Sequence, residues 1–198
     1  MVGRMYLWLG GIILAPILAA WFLFSSQGST GLPIYAAGDL DGDGRMEEYL
    51  LVDHCLTVQE GEQDLWKSPR EWSIDNFVLG DVDNDGTVNL SISLWKTGSF
   101  GEIRPFWLTG EDTGYKNHLF VFKLIGNTFK SAWCSSDLDC PIISFVVHDV
   151  NGDGLNELVV EEGQYRKTAG ERYTLDADAP VRTTVWQWEE WGFSRTNL

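Results

Sequence analysis

Residues 38–48 read GDLDGDGRMEE, and two later stretches of the chain follow almost the same pattern. Residues 80–90 are GDVDNDGTVNL, and residues 148–158 are HDVNGDGLNEL. Each stretch fits D-x-[DN]-x-D-G-x-x-[DEN], is followed by an apolar run and has an aromatic residue four positions before its first Asp. Those aromatics are Tyr35, Phe77 and Phe145. Three loops with matching flanks predict a chain built from repeated units.

The spacing within each loop is typical of a hard-cation site. Side-chain oxygens at positions 1, 3, 5 and 9 and the backbone carbonyl at position 7 can converge on one point, while Gly at position 6 permits a sharp turn. This chemistry suits calcium, and we expect up to three structural ions. The predicted side-chain ligands are Asp39, Asp41, Asp43 and Glu47, then Asp81, Asp83, Asp85 and Asn89, then Asp149, Asn151, Asp153 and Glu157; the predicted carbonyl ligands belong to Arg45, Thr87 and Leu155.

Electrostatics favours a metal in these loops. The chain carries 29 acidic and 14 basic residues and a net charge of −15. Like charges about 4 Å apart repel by roughly 1 kcal/mol even in water, and a divalent cation reverses that penalty. Asp- and Gly-rich turns without metal are the alternative, and loop two is the weakest site because Asn89 is neutral. An EF-hand needs Glu at position 12, where this chain has Leu50, Ile92 and Val160.

The loops and their flanks resemble the FG-GAP or VCBS-type repeat, which is related to the calcium-binding blades of integrin α-subunit β-propellers. The resemblance covers residues 33–198 and implies that each loop joins two strands of a four-stranded blade, with a structural calcium ion in the loop. The fold class expected is therefore all-β, with three propeller-like antiparallel blades near residues 33–73, 74–140 and 141–198. Closed propellers typically have four to eight blades. Three blades leave an open arc, a degenerate closing segment, or self-association that completes the propeller.

The N-terminus predicts a membrane anchor. Residues 5–24 are 20 residues without a charge, and a helix of that length spans the hydrocarbon core of a bilayer. Arg4 precedes the span and no Lys or Arg follows it until Arg45, so the domain is expected outside the cytoplasm, in the periplasm or at the cell surface. We assign residues 1–26 to this anchor and 27–32 to a linker. A signal peptide cleaved near residues 26–28 is the alternative.

The three cysteines leave two interpretations open. Cys134 and Cys140 frame a five-residue segment and could close a short disulfide loop, with Cys55 unpaired. Three buried thiols are the alternative. No C-x-x-C pair occurs in the sequence, so a zinc cluster is not expected.

The spacing of the loops locates two insertions. The first Asp residues are separated by 42 and then 68 residues, whereas a propeller blade takes about 40–45. The excess falls in residues 96–117 and 163–183. Equivalent loops of stacked blades emerge on one face, so both insertions should lie together, where they either bind a partner or form solvated hairpins. The candidate partner-binding residues are Trp95, Phe106, Trp107, Tyr115, Tyr165 and Tyr173.

These observations favour a non-catalytic, membrane-anchored, calcium-binding interaction module that binds a protein partner. The acidic charge argues against nucleic acid. A purely structural envelope domain fits the sequence nearly as well. A carbohydrate-binding domain is a second alternative, and an envelope hydrolase using a histidine is a third, although no hydrolase or phosphate-binding motif occurs. The tryptophans available for sugars are Trp95, Trp107, Trp186, Trp188 and Trp191, and the histidines are His54, His118 and His148.

Overall fold

The computed structural model describes residues 32–99 and 113–196, and these residues form fourteen β-strands and no helix. The first eight strands are β1 (Ile34–Gly38), β2 (Glu47–Val52), β3 (Cys55–Glu60), β4 (Gln63–Lys67), β5 (Ser73–Gly80), β6 (Asn89–Thr97), β7 (Tyr115–Ile125) and β8 (Thr128–Cys134). The other six are β9 (Ile142–His148), β10 (Glu157–Glu162), β11 (Tyr165–Lys167), β12 (Tyr173–Leu175), β13 (Arg182–Glu189) and β14 (Gly192–Thr196). The predicted all-β fold is confirmed.

The strands form three four-stranded antiparallel sheets and one small hairpin. Sheet 1 has the order β1-β2-β3-β4, sheet 2 the order β5-β6-β7-β8, and sheet 3 the order β9-β10-β13-β14. The hairpin β11–β12 is inserted between β10 and β13 of sheet 3. In every sheet, one of the three Asp-rich loops joins the first strand to the second, so the loops occupy equivalent places in the fold.

Alternation of buried and exposed residues explains why these segments form strands. In β2, Glu47, Tyr49 and Leu51 are buried, while the intervening residues Glu48, Leu50 and Val52 are exposed. This period of two places one side of the strand against a neighbouring sheet. β6 differs because eight of its nine residues are buried; sheet 2 therefore lies between the other two sheets and is covered on both faces.

Two apolar clusters hold the sheets together. The first joins sheet 1 to sheet 2 through residues such as Tyr49, Leu51 and Ile92. The second joins sheet 2 to sheet 3, with Val121 and Leu158 among its members. Within the described residues the three sheets do not form a closed barrel or ring.

The first strands of sheets 2 and 3 approach each other closely at Gly80. A Cβ atom on Gly80 would lie 3.0 Å from the Cβ of Val147, which is tighter than ordinary van der Waals contact. The absence of a side chain at position 80 therefore lets the two strands meet.

Two sequence predictions have different outcomes here. The predicted anchor over residues 5–24 lies outside the described residues, and the part of the chain that is described contains no helix able to span a bilayer. The predicted disulfide between Cys134 and Cys140 is not formed. The Cys134 sulfur lies 2.9 Å from the Ser131 hydroxyl and packs against the first apolar cluster, whereas the Cys140 sulfur lies 3.5 Å from Arg182 of sheet 3. The two thiols are thus engaged with different neighbours.

Candidate metal centres and the inserted hairpin

The aspartate at position 1 closes each loop by accepting backbone hydrogen bonds. Asp39 Oδ1 accepts from the N–H of Gly42 at 2.8 Å, and its Oδ2 accepts from Gly44 at 2.9 Å. Asp81 and Asp149 make the same 2.9 Å bond to the glycine at position 6 of their loops. One carboxylate therefore folds the chain back on itself in all three loops, as Asp commonly does in turns.

Left-handed backbone at positions 4 and 6 allows these turns. In loop one, Gly42 has φ of 75° and Gly44 has φ of 91°. Loop two carries Asn84 at position 4, with φ of 55°. Glycine adopts these angles freely, and asparagine is among the few other residues that tolerate them.

Loop one presents a buried carboxylate with a free oxygen. Glu47, at position 9, is completely buried; its Oε2 accepts a 2.8 Å bond from the N–H of Leu40, whereas its Oε1 has no hydrogen-bond partner. Carboxylate oxygens of Asp39, Asp41 and Asp43 lie within 4.8 Å of one another in the same loop. Burial, together with the charges of Asp41 and Asp39, raises the pKa of Glu47. This oxygen-rich donor set fits a hard divalent cation.

Loop two gathers the same carboxylates but also receives a lysine. Asp81, Asp83 and Asp85 offer oxygens within 4.8 Å of one another, and Asp83 Oδ1 is buried without a partner. The Lys123 ammonium lies 2.8 Å from Asp83 Oδ2 and also contacts Asp85. Hydrogen bonding to Lys123 lowers the pKa of Asp85 to about 2. Asn89 is buried and its Oδ1 accepts a 2.9 Å bond from the N–H of Val82. One protein cation therefore already offsets part of the negative charge of the three aspartates in this loop.

Loop three is arranged like loop one with an amide in place of one carboxylate. Glu157 is 1% exposed, and its Oε2 accepts a 2.9 Å bond from the N–H of Val150. The Asn151 amide nitrogen lies 3.0 Å from Asp153 Oδ2 and 3.4 Å from Glu157 Oε1. Hydrogen bonds from Gly154 and other backbone N–H groups lower the pKa of Asp149. The carboxylates of Asp153 and Glu157 thus share one amide donor, Asn151. A cation would also be attracted to this position.

The residues at position 7 donate hydrogen bonds through their backbone N–H groups. Those of Arg45, Thr87 and Leu155 donate to Oδ1 of the Asp at position 5, over 2.8, 3.0 and 2.8 Å. This bond orients the position-5 carboxylate within the loop. The metal-ligating role of the position-7 carbonyls stays a prediction.

Loops two and three are joined by an asparagine pair that the sequence did not reveal. The N–H of Asn156 donates to Asn84 Oδ1 at 2.7 Å, and Asn84 Nδ2 donates back to the Asn156 carbonyl at 3.1 Å. Asn156 Nδ2 also donates to the Asp81 carbonyl at 2.9 Å. These bonds couple the two loops across the interface between sheets 2 and 3.

Each insertion follows the second strand of its sheet, and the two insertions meet at the end of sheet 2 opposite the Asp-rich loops, as predicted. The N–H of Tyr115 donates to the Glu171 carbonyl at 2.9 Å, and Tyr115 forms a β-bridge with Arg172 of the inserted hairpin. Asn117 N–H donates to the Tyr165 hydroxyl oxygen at 3.3 Å. The hairpin is therefore fastened to the first residues of β7.

Four of the six candidate partner-binding residues form one aromatic cluster. Trp95 stacks on Tyr115 with ring centroids 6.1 Å apart and meets Tyr165 edge-to-face at 5.8 Å; Tyr165 in turn contacts Tyr173 at 5.6 Å. Trp95 is buried and donates its indole N–H to Asp75 Oδ2 at 2.6 Å, while the three tyrosines are half-buried. The remaining two candidates, Phe106 and Trp107, lie outside the described residues.

Cations surround this aromatic cluster. Lys116 Nζ lies 5.2 Å from the ring centre of Tyr173, and the Arg172 guanidinium lies 3.9 Å from that of Tyr115. Such contacts are attractive because the ring face carries negative charge density. A cleft of about 470 Å³ opens beside the cluster, between the base of the hairpin and β13, and Tyr165, Cys140 and Arg182 are among the residues that line it.

The sequence also did not predict an ion-pair network at sheet 3, in which one buried carboxylate meets two partly exposed arginines. Glu162 is fully buried and accepts from Arg182 at 2.6 Å and from Arg195 at 2.7 Å. Neither arginine lies near Glu162 in sequence. Only the pairing of β10 with β13, and of β13 with β14, brings them together.

The tryptophans considered for sugar binding and the histidines considered for hydrolysis differ in their burial and surroundings. Trp186 is buried, Trp188 packs against Trp133 and Phe193, and Trp191 is 80% exposed at a turn. Trp107 lies outside the described residues. The three histidines are dispersed: His118 is buried, His54 is beside Asp75 with Nδ1 3.3 Å from Oδ1, and His148 is exposed at the end of β9.

Comparison with known proteins gave no match: neither a protein-family model, nor a curated protein, nor a solved structure is significantly similar to the chain.

Proposed function

We propose that the chain is a membrane-anchored, extracytoplasmic, calcium-binding interaction module of the FG-GAP or VCBS type, with three propeller-like blades. The observation that carries this proposal is Glu47 in loop one. A fully buried carboxylate with one unpartnered oxygen, next to three clustered aspartates, is unfavourable without a cation. A calcium ion bound to these oxygens supplies the missing partner and cancels the repulsion.

The three loops are expected to bind calcium unequally. In loop three, rotation of the Asn151 amide by half a turn would replace its NH2 group by its oxygen, which together with Asp153 and Glu157 would face a bound cation. In loop two, the ion must displace Lys123 from Asp83 and Asp85. We therefore expect loops one and three to bind calcium tightly and loop two to bind it weakly.

The role of calcium in this proposal is structural. Each loop connects the first two strands of its sheet, and the position-9 side chain reaches back to the N–H at position 2. A cation held between positions 1, 3, 5 and 9 would fix the start of the second strand relative to the end of the first. The ion thereby stabilises the sheets against which the apolar clusters pack.

The partner would bind at the other end of the sheets, where the insertions meet. The half-buried tyrosines, the neighbouring cations and the 470 Å³ cleft provide a mixed aromatic and charged surface. Tyrosine and arginine are enriched at the energetic centres of protein interfaces. The expected partner is therefore a protein.

Thermal unfolding of the chain in calcium and in chelator tests the metal part of the proposal. Binding to the native state adds about 2.7 kcal/mol per site at a hundredfold excess over Kd. For a chain of this length each kcal/mol raises Tm by about 2–4 °C. Two tight sites should therefore raise Tm by roughly 10 °C or more, and magnesium at the same concentration should do much less. Equal Tm values in calcium and chelator would contradict the proposal.

Shortening the first insertion tests the partner part. The N–H of Gly98 donates to the Gly114 carbonyl at 2.8 Å, so the ends of the insertion are already adjacent. We therefore design a variant in which a short Gly-Ser turn replaces residues 100–112, so that the hydrogen bond between Gly98 and Gly114 is retained. The variant should retain the wild-type Tm and lose partners captured by the wild-type chain, whereas the control Trp191→Ala should keep them. Unchanged capture by the shortened chain would place the binding surface elsewhere.

A further inference from the structure

The three sheets stack in one repeated way, and two of their faces are left uncovered by the residues that the structure describes. Face A of each sheet bears the residues at positions 10 and 12, counted from the first Asp of its loop, and face B bears those at positions 11 and 13. Face B of sheet 1, with Tyr49 and Leu51, packs on face A of sheet 2, with Leu90 and Ile92. The same arrangement recurs between sheets 2 and 3, because Val121 and the residues on face A of sheet 3 share the second cluster.

Face A of sheet 1 is exposed although its equivalents are buried. Leu50, at position 12, is 40% exposed, whereas Ile92 and Val160 at the same position are completely buried. Two residues further along β2, Val52 is 39% exposed, whereas its counterpart Leu94 is completely buried.

The aromatic residue before each loop shows the same difference. Tyr35 pairs with Leu50, Phe77 with Ile92, and Phe145 with Val160, so all three aromatics lie on face A of their sheets. Phe77 is 5% exposed and Phe145 is 2% exposed, whereas Tyr35 is 52% exposed. An aromatic side chain that fills a sheet-to-sheet interface twice in the chain thus has no covering sheet at its first occurrence.

Face B of sheet 3 is the complementary uncovered surface. Val146, Val159 and Val185 lie side by side across β9, β10 and β13 and are half-exposed. The equivalent of Val159 in sheet 1 is Tyr49, which is fully buried. Beside the valines is a depression of about 160 Å³, whose lining includes Val146, Val159 and Thr183.

We propose that face A of sheet 1 packs on face B of sheet 3 from a second copy of the same chain. The contact continues the two interfaces already present within one chain and joins the same two faces. Tyr35, Leu50 and Val52 supply apolar surface on one side and the three valines on the other, and the charged residues on these faces include Glu48 and Glu161. It is heterologous, since two different surfaces meet, and such contacts form either rings or open filaments. Two copies joined by two such contacts close a ring of six sheets, which lies within the range of four to eight blades known for closed propellers. Tyr35 of each copy would fill the depression beside Val159 of the other.

Light scattering on the full chain in detergent, with the mass of the protein separated from that of the micelle, tests this arrangement. The wild-type chain should have twice the mass of one chain. Leu50→Lys places a charge on face A of sheet 1, and Val159→Lys places one on face B of sheet 3; each should give monomers. Thr183→Arg is an exposed alternative on face B, for the case in which Val159→Lys fails to fold. Trp191→Lys is the control, since it adds the same charge at an exposed turn outside both faces, and it should remain dimeric.

Mixing the variants identifies the interface as head-to-tail. A Leu50→Lys chain retains face B of sheet 3, and a Val159→Lys or Thr183→Arg chain retains face A of sheet 1, so one intact contact forms between differently tagged copies. Capture of one tag should recover the other from the mixture but not from either variant alone. A monomeric wild-type chain, filaments, a dimer that survives either face variant, or no recovery on mixing would each overturn the proposal.

Discussion

Replacing Glu47 by glutamine separates the two roles of that side chain in loop one. The amide oxygen of the new side chain can still accept the hydrogen bond from Leu40 N–H, which is 2.8 Å long in the wild-type chain. What the substitution removes is the negative charge beside Asp39 and Asp41, and with it the charged oxygen that has no hydrogen-bond partner in the wild-type chain and is the proposed calcium ligand. The cap is preserved while the metal site is weakened.

The expected effect has opposite signs with and without calcium. In chelator, E47Q should be at least as stable as wild type, because a buried charge with an unpartnered oxygen has been neutralised; a gain of about 1 kcal/mol is reasonable. In a hundredfold excess of calcium over the wild-type Kd, the variant should lose the contribution of one site, about 2.7 kcal/mol. After the gain of about 1 kcal/mol is subtracted, the variant should be about 1.7 kcal/mol less stable than wild type in calcium, with a Tm about 3–7 °C lower.

Differential scanning calorimetry of the full chain measures both effects. The matched control is Glu48→Gln, which removes the same charge from the next residue, whose side chain is exposed on the other face of β2. E48Q should keep the full calcium shift. If E47Q showed the wild-type calcium shift, or if it were less stable than wild type in chelator, loop one would not be the metal site described here.

Three further predictions concern other parts of the chain. Lys123→Met should lower stability in chelator by about 1–3 kcal/mol and add one calcium ion per chain in dialysis; an unchanged ion count would contradict the role given to Lys123. Burial lowers the pKa of His118 to about 4. Between pH 6.5 and 4 this histidine is therefore protonated in the unfolded chain but not in the folded one, and the free energy of unfolding falls by up to about 3 kcal/mol as the pH is lowered. His118→Gln should remove this part of the pH dependence in urea unfolding, and an unaltered slope would refute it. Gly80→Ala should cost about 1–3 kcal/mol by crowding Val147; unaltered urea stability would show that the sheets can adjust.

The sequence contained much of the information that defines the fold and the loops. Each loop has a fixed spacing and lies between a strand that carries an aromatic residue and an apolar run, so the sequence predicts that it connects two strands. All three loops do join the first two strands of a sheet. The position-9 residues stay predicted ligands, and the structure shows that the side chain of each accepts a hydrogen bond from the N–H at position 2. Local spacing suffices for such features because every participant lies within nine residues of the first Asp.

Features that depend on the register between distant strands were not predictable. Lys123 is 38 residues from Asp85 and reaches loop two only because β7 pairs with β6 in a particular register. The Asn84–Asn156 bonds span 72 residues and require the packing of sheets 2 and 3. The disulfide prediction used sequence proximity, which does not determine where the thiols of Cys134 and Cys140 are directed. Strand pairing and sheet packing, rather than residue type, decide these contacts.

Binding of calcium to the purified full chain, counted by equilibrium dialysis, tests the central claim most directly. Two tightly bound ions per chain are expected, in loops one and three, and E47Q should reduce the count by one. A wild-type chain that is fully folded and binds no calcium would contradict the account.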